Sequence, residues 1–201
     1  GNRNVAVGQI ALATQNFTTV TNSYNAALGY AAGGAVTTGL RNTLIGSLAG
    51  DALTDADDNV AIGTTALSTD TLGSRSVAIG KESLAAQNFT TATMSYNTAV
   101  GAFSGNSVSI GEGNTLIGGL AGLALTEGGM NVALGRSALA GDTKGSRSVA
   151  IGRFALATQN FTTATDAYNV AIGMNAGTAV TTGTENVLIG GLAGDALLNG
   201  G

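Results

Sequence analysis

The stretch "SRSVAIG" stands at residues 74–80 and again at 146–152, and a near copy, "NRNVAVG", fills residues 2–8. Aligned on its last glycine, the phrase recurs eleven times, at Gly8, Gly29, Gly46, Gly63, Gly80, Gly101, Gly118, Gly135, Gly152, Gly173 and Gly190. One long interval, Gly8 to Gly29, is followed by three equal shorter ones, and the series then begins again at Gly80 and at Gly152, so four rungs make one unit. Fixed self-similarity of this kind marks a fold stacked along one axis. The chain divides into super-repeats at about 4–75, 76–147 and a truncated 148–201, together one rod over 1–201.

Each rung reads Asn or Ser, three small or branched residues, Gly, two variable residues, and then Ala or Ser with Leu or Gly. The Val, Ile and Thr of the first part favour strand. A 17-residue period with a central glycine has no room for a helix pair. The glycine is expected to take a positive φ and turn the chain out of the strand. The tracts behind it, "TTAL" at 64–67 and "RSAL" at 136–139, are expected to form a second short strand. Turn-rich tracts such as "AVTTGLRN" and "STDTLGSR" return the chain to the next rung. The fold class is therefore all-β: a parallel β-solenoid of eleven rungs, stacked about 4.8 Å apart into a rod of roughly 50 Å.

Composition agrees and narrows the function. Among 201 residues there are 32 glycines and no proline, as expected where almost every strand must donate to a neighbour above or below. Charged residues make up 10% with a net charge of −4, so no basic stripe is present to neutralise phosphates and nucleic acid is not an expected partner. No window of eighteen unbroken apolar residues and no signal-peptide pattern occurs, so no membrane insertion is expected of this segment. Cysteine and histidine are both absent, which removes thiolate nucleophiles, imidazole bases and the usual zinc ligands; no cofactor, metal or catalytic residue is expected. The lack of thiols fits an oxidising exterior.

Asparagine opens nine rungs, at positions 4, 25, 42, 59, 97, 114, 131, 169 and 186. It forms either an amide ladder up one corner or a turn that tolerates a left-handed backbone. Along the strand, the second and fourth positions share one face and the third looks the other way. The fourth, for example Val7, Ile45, Ile62, Ile117 and Ile189, is expected to fill the coil interior. The third is Ala6, Ala27, Leu44, Ala61, Ala78, Ala99, Leu116, Ala133, Ala150, Ala171 and Leu188, and is never polar. An outer row that stays apolar for the whole rod calls for a partner chain, so this row is expected to face the axis of a trimer, unless a third wall of the same coil covers it.

"SVAIG" at 76–80 and 148–152 and "NVAIG" at 59–63 and 169–173 resemble the repeat of YadA-like heads of trimeric autotransporter adhesins. Similar rungs, of the form "NTLIGGLAGDAL", occur in bacteriophage tail fibres. The resemblance spans essentially the whole chain and implies a left-handed β-roll that forms a homotrimer on a cell or virion surface. Both rung lengths of this chain exceed those of the adhesin heads, which favours a fibre and leaves no ground for carrying over collagen or matrix binding.

The 21-residue rungs hold the distinctive surface: "QNFTTVTNSY" at 15–24, "QNFTTATMSY" at 87–96 and "QNFTTATDAY" at 159–168. Phe17, Tyr24, Phe89, Tyr96, Phe161 and Tyr168 either project to touch a receptor or glycan or fold back over the rod. Asn16, Asn88 and Asn160 stand in N-x-T sequons open to glycosylation. Asp51, Asp55, Asp57 and Asp58 have the oxygen density for calcium but not an EF-hand spacing, and a solvated turn accounts for them. Threonine pairs such as Thr18/Thr19 occur in one rung of four, too few for an ice-binding ladder. A carboxylate glycosidase is a further alternative, although no nucleophile, base and oxyanion donor can be assembled. The sequence also lacks obvious capping segments: it starts at Gly1 and stops at "DALLNGG". It is thus expected to be a slice of a longer array or a subunit that stacks end to end, with its terminal strands hydrogen-bonded to further rungs.

Overall fold

The computed structural model describes residues 1–199. Eleven three-residue strands carry the repeat: Val5–Val7 (β1), Ala26–Leu28 (β2), Thr43–Ile45 (β3), Val60–Ile62 (β4), Val77–Ile79 (β6), Thr98–Val100 (β8), Thr115–Ile117 (β9), Val132–Leu134 (β10), Val149–Ile151 (β12), Val170–Ile172 (β14) and Val187–Ile189 (β15). They stack in chain order into one parallel sheet. Its register pairs Ala6 with Ala27 across a long rung and Ala27 with Leu44 across a short one. On another wall the short strands Gly73–Ser74 (β5) and Thr93–Met94 (β7), and likewise Gly145–Ser146 (β11) and Thr165–Asp166 (β13), form two small parallel ladders. No helix of the described residues is long and apolar enough to cross a membrane.

The glycine after each strand has two reasons to be there. Gly46 takes φ 131°, a backbone that side chains rarely adopt. A Cβ on it would also lie 2.6 Å from the carbonyl oxygen of Gly63 in the next rung. The column of glycines thus stacks backbone against backbone.

Behind the glycine the chain does not form a second strand. Thr65 and Leu67 take φ of 54° and 53°, so residues 64–67 and their copies at 136–139 curl as turns. Left-handed residues alternating along the tract prevent an extended path. Rung-to-rung pairing persists even so: Thr65 N–H donates to the Ser47 carbonyl at 3.0 Å and Leu67 N–H to Ser83 at 3.0 Å.

The facing of the main strand is opposite to the sequence expectation. The third-position residues Ala27, Leu44, Ala61, Ala78, Ala99, Leu116, Ala133, Ala150 and Ala171 are buried inside the single coil and form its core with Ala49, Leu53, Ala66, Leu67 and their copies. They cannot line an axis between chains. Ala6 and Leu188 are less covered, being in the end rungs. The second and fourth positions point outward, and Val7, Leu28, Ile45, Ile117, Leu134 and Ile189 are exposed. The interior is too narrow for two aliphatic rows, and the opening asparagine claims the inward side at the same parity as the alanine.

That asparagine is a ladder. Asn25, Asn42, Asn59, Asn97, Asn114, Asn131 and Asn169 are fully or almost fully buried. Asn42 Nδ2 donates to the Ala56 carbonyl of its own rung at 2.7 Å, while its Oδ1 accepts the Asn59 N–H of the next at 3.0 Å. The left-handed corner belongs to the preceding residue, such as Arg41 at φ 57°. Removing one amide strands two buried backbone groups, at about 1–3 kcal/mol each.

Interior volumes are exchanged between walls. A Cβ at Gly33 or Gly50 would come within 2.6 or 2.7 Å of the Leu44 methyls. At Ala61, Ala78, Ala133 and Ala150 the turn of the same rung supplies a leucine, Leu67, Leu84, Leu139 and Leu156, while the turns after Ala27, Ala99 and Ala171 carry Gly33, Gly105 and Gly177 and leave room for the leucine of the next strand.

Because Ala78 is fully enclosed, Ala78→Asp buries an unpaired carboxylate and is expected to cost about 3–5 kcal/mol. Exposed Thr64→Asp should stay within roughly 0.5 kcal/mol. Urea unfolding of the two variants, followed by circular dichroism, separates them.

Candidate interaction surfaces

Two surfaces can meet a partner, and a buried polar cluster lies beneath one of them. The first is the outer face of the eleven-stranded sheet, where two columns of Val, Ile, Leu, Thr and Ala run from Val5 and Val7 to Val187 and Ile189. No charged side chain stands in either column. Apolar side chains left outward over the length of a rod make a continuous patch, the usual mark of an interaction face.

The second surface is the flank built by the 21-residue rungs, where the six aromatics divide. Phe89 and Phe161 are buried, and Phe17 in the first rung is half-buried. Each ring lies against a glycine of the neighbouring rung: a Cβ on Gly73 would be 2.8 Å from Phe89 Cδ2, and one on Gly1 2.9 Å from Phe17. These phenylalanines fold back over the rod, so only the tyrosines remain at the surface. Tyr24, Tyr96 and Tyr168 are about half exposed. Arg3 and Arg75 sit over the Tyr24 and Tyr96 rings at 5.6 Å and donate to their hydroxyls at 2.7 Å. Arg147 lies over Tyr168 at 5.8 Å and donates instead to Asp166 at 2.9 Å. Each stack contributes about 0.5–1 kcal/mol at such exposure.

Beside this column the rod carries two shallow grooves at equivalent places on successive units. One is lined by Arg41, Asp57, Asp58, Arg75 and Met94, the other by Glu112, Glu127, Met130, Arg147 and Asp166. The aspartates at 51–58 do not converge on a cation. Asp58 and Asp57 pair with Arg41 at 2.5 and 3.4 Å, and Asp55 accepts from Thr38 at 2.6 Å. The hydrogen bond from Arg41 holds the Asp58 carboxyl below its ordinary range. Among the described residues no three His, Cys, Asp or Glu side chains come together as a metal site. The sequon residues Asn16 and Asn160 are exposed and Asn88 is half-buried; Asn160 Oδ1 accepts from Thr143 at 3.0 Å and Asn88 Oδ1 from Thr71 at 3.3 Å.

The third feature is one that sequence reading missed: a buried polar cluster beneath the 21-residue rungs. Asp70 Oδ1 accepts the N–H groups of Gly73 and Phe89, both at 3.0 Å, and Oδ2 accepts Gln87 Nε2 at 2.5 Å. Gln87 Nε2 also donates to Ser76 Oγ at 2.8 Å, and its Oε1 accepts Asn97 Nδ2 at 2.9 Å. Gln87 thereby carries the amide ladder past the rung that opens with serine. Asp142, Gln159, Ser148 and Asn169 repeat the arrangement. A signal is present in the sequence: the residue eleven after the opening Asn or Ser runs Gln, Val, Leu, Asp through each unit.

Compared with family models, curated proteins and solved structures, the chain matches none.

One surface carboxylate opposes folding. Asp51 Oδ1 is buried without a partner, and desolvation pushes its pKa above the ordinary 3.8. The native state therefore holds the proton more tightly than the unfolded chain, and stability falls as pH rises from 3.8 through the raised value. Asp51→Asn is expected to raise the melting temperature at pH 7, with the gain vanishing below pH 3.8. Parallel melts of the two proteins across pH test this, and an equal gain at every pH would contradict it.

Proposed function

We propose that this chain is the structural rod of an extracellular surface fibre, on a virion or a bacterial cell, built from three copies packed side by side and supporting attachment to a host or surface. The observation that carries the reading is the outward aliphatic strip: the bulkiest branched residues of the sheet stand outside the coil on all but a few rungs. Burying a half-exposed Val or Ile against another copy gives about 1 kcal/mol, and a column repeated along eleven strands sums to a stable association. The number three comes from the resemblance to YadA-like adhesin heads and phage tail-fibre repeats. Chains of such a rod contribute length and stiffness rather than catalysis.

A second reading, a receptor- or glycan-binding flank, is favoured by the arginine-backed tyrosines that return once in every unit of four rungs beside the charged grooves. Tyrosine faces and charged side chains are the chemistry of carbohydrate contact. Binding of the isolated rod to a glycan array, lost in Tyr96→Ala while the variant keeps the circular dichroism of the folded rod, would favour attachment on the flank itself.

Light scattering tests the rod assembly. The unmodified chain is expected at three times its 19.6 kDa mass. Ile79→Glu, which sets a charge on the outer strip at mid-rod, should release folded monomers with unchanged circular dichroism. A monomeric unmodified chain would overturn the proposal.

A further inference from the structure

The residue before each opening Asn or Ser forms a column up the left-handed corner of the rod. It reads Arg3, Tyr24, Arg41, Asp58 through the first unit and Arg75, Tyr96, Gly113, Met130 through the second. Gly113 is the one corner of the described residues without a side chain, and neither backbone nor packing demands a glycine there. Its φ of 69° is close to those of Arg41, Arg75 and Met130, at 57°, 65° and 59°. A Cβ on it would meet Met130 Cγ at 3.6 Å, an ordinary contact, whereas one on Gly101 would lie 2.6 Å from the Gly118 carbonyl carbon. The column therefore lacks a side chain at a place where one fits.

The gap lies over a tyrosine. Gly113 N–H donates to the Ser95 carbonyl and Met130 N–H to the Glu112 carbonyl, both at 2.8 Å. Tyr96, Gly113 and Met130 thus stand in consecutive rungs, and the missing layer is about 4.8 Å thick. Arg75 covers one face of the Tyr96 ring at 5.6 Å, which leaves the other face on the side of Gly113. Tyr96 is 55% exposed against 48% for Tyr24 and 49% for Tyr168, whose next corners are Arg41 and Glu185.

The first unit shows what fills this layer. Arg41 stands next to Tyr24, and its guanidinium reaches on to Asp58 at 2.5 Å. The second unit lacks that arginine but gains a carboxylate, since Glu112 takes the place of Leu40. Glu112 and Met130 line the adjoining groove of about 270 Å³. There Glu127 pairs with Lys144 at 2.8 Å and Asp166 with Arg147 at 2.9 Å, while the exposed Glu112 enters no ion pair among the described residues.

We propose that the gap above Tyr96 is the docking site for an arginine side chain of a partner protein, which takes the layer that Arg41 fills in the first unit. The guanidinium plane stacks between the Tyr96 ring and the Met130 thioether, and its edge donates two hydrogen bonds to Glu112. An ammonium has no flat face to stack, and a neutral sugar leaves the Glu112 charge unmatched. The site rests neither on sideways assembly nor on glycan contact, and either can fail without affecting it.

Titration of the full rod with the peptide acetyl-Gly-Arg-Gly-amide, followed by NMR, tests this. The Tyr96 ring protons and the Met130 methyl are expected to shift to saturation, with the Tyr24 ring unmoved. The same peptide with lysine should bind more weakly, and Glu112→Gln should weaken the arginine peptide about tenfold. Gly113→Arg, a residue that this corner already carries at Arg41 and Arg75, should close the site while keeping the circular dichroism of the folded rod. Should that variant misfold, Glu112→Gln and the lysine peptide still decide. No shift at Tyr96, equal binding of the lysine peptide, or a response to a neutral oligosaccharide in place of the arginine peptide would overturn the proposal.

Discussion

The structure depends on the hydrogen bond between one rung's asparagine amide and the next rung's backbone. At the corner where the strand begins, the coil is too narrow for water, yet a backbone N–H and a carbonyl must both turn inward. One primary amide satisfies the pair, as Asn114 does by donating to Gly128 and accepting from Asn131. This fixes the period. A rung one residue shorter or longer would carry the amide past its partners, so length is added only as a four-residue loop, with a glutamine reaching across to keep the chain of amides whole. The absence of proline follows from the same demand for donors.

Volume inside the coil sets the longer, four-rung period. The core is lined by alanines with scattered leucines, and each leucine needs a glycine or alanine opposite. Leu44, Leu116 and Leu188 on the strands face Gly50, Gly122 and Gly194 on the turns, and Leu67 and Leu139 on the turns face strand alanines. Two columns that alternate in size, together with the Gln, Val, Leu, Asp column, return to phase after four rungs. A super-repeat is therefore one full cycle of interior packing.

Much of this is legible in the sequence. The phrase "VAIG" and its spacing predict the parallel stack, its register and the turning glycine, because strand propensity, glycine conformation and regular repetition agree. The facing of the strand is not legible from hydrophobicity, since positions two, three and four are all apolar and either parity gives an apolar core. The asparagine holds the answer: it shares parity with the third position, and a repeated amide at a fixed corner is worth most where water is excluded. The tract at 64–67 reads as strand because Thr, Ala and Leu give no warning of left-handed turns. The tyrosines and phenylalanines of the long rungs separate only in three dimensions, where the glycines at 73 and 145 make room for a ring.

The inverted facing also bears on what the rod is for. A coil that encloses alanine and asparagine buries little apolar area per residue, so the single chain leans on hydrogen bonds between rungs, each of modest net worth, about 0.5–1.5 kcal/mol. Meanwhile the Val, Leu and Ile at the second and fourth strand positions stand outside along the rod. Threonine enters those columns only at Thr43, Thr98 and Thr115, and no charge stands in them, whereas charges are placed on the loops. Under the proposed assembly the small interior and the large exterior are two halves of one arrangement. The hydrogen-bonded coil sets the geometry of each chain, and the outer strip supplies the hydrophobic contact between chains that the narrow core cannot provide.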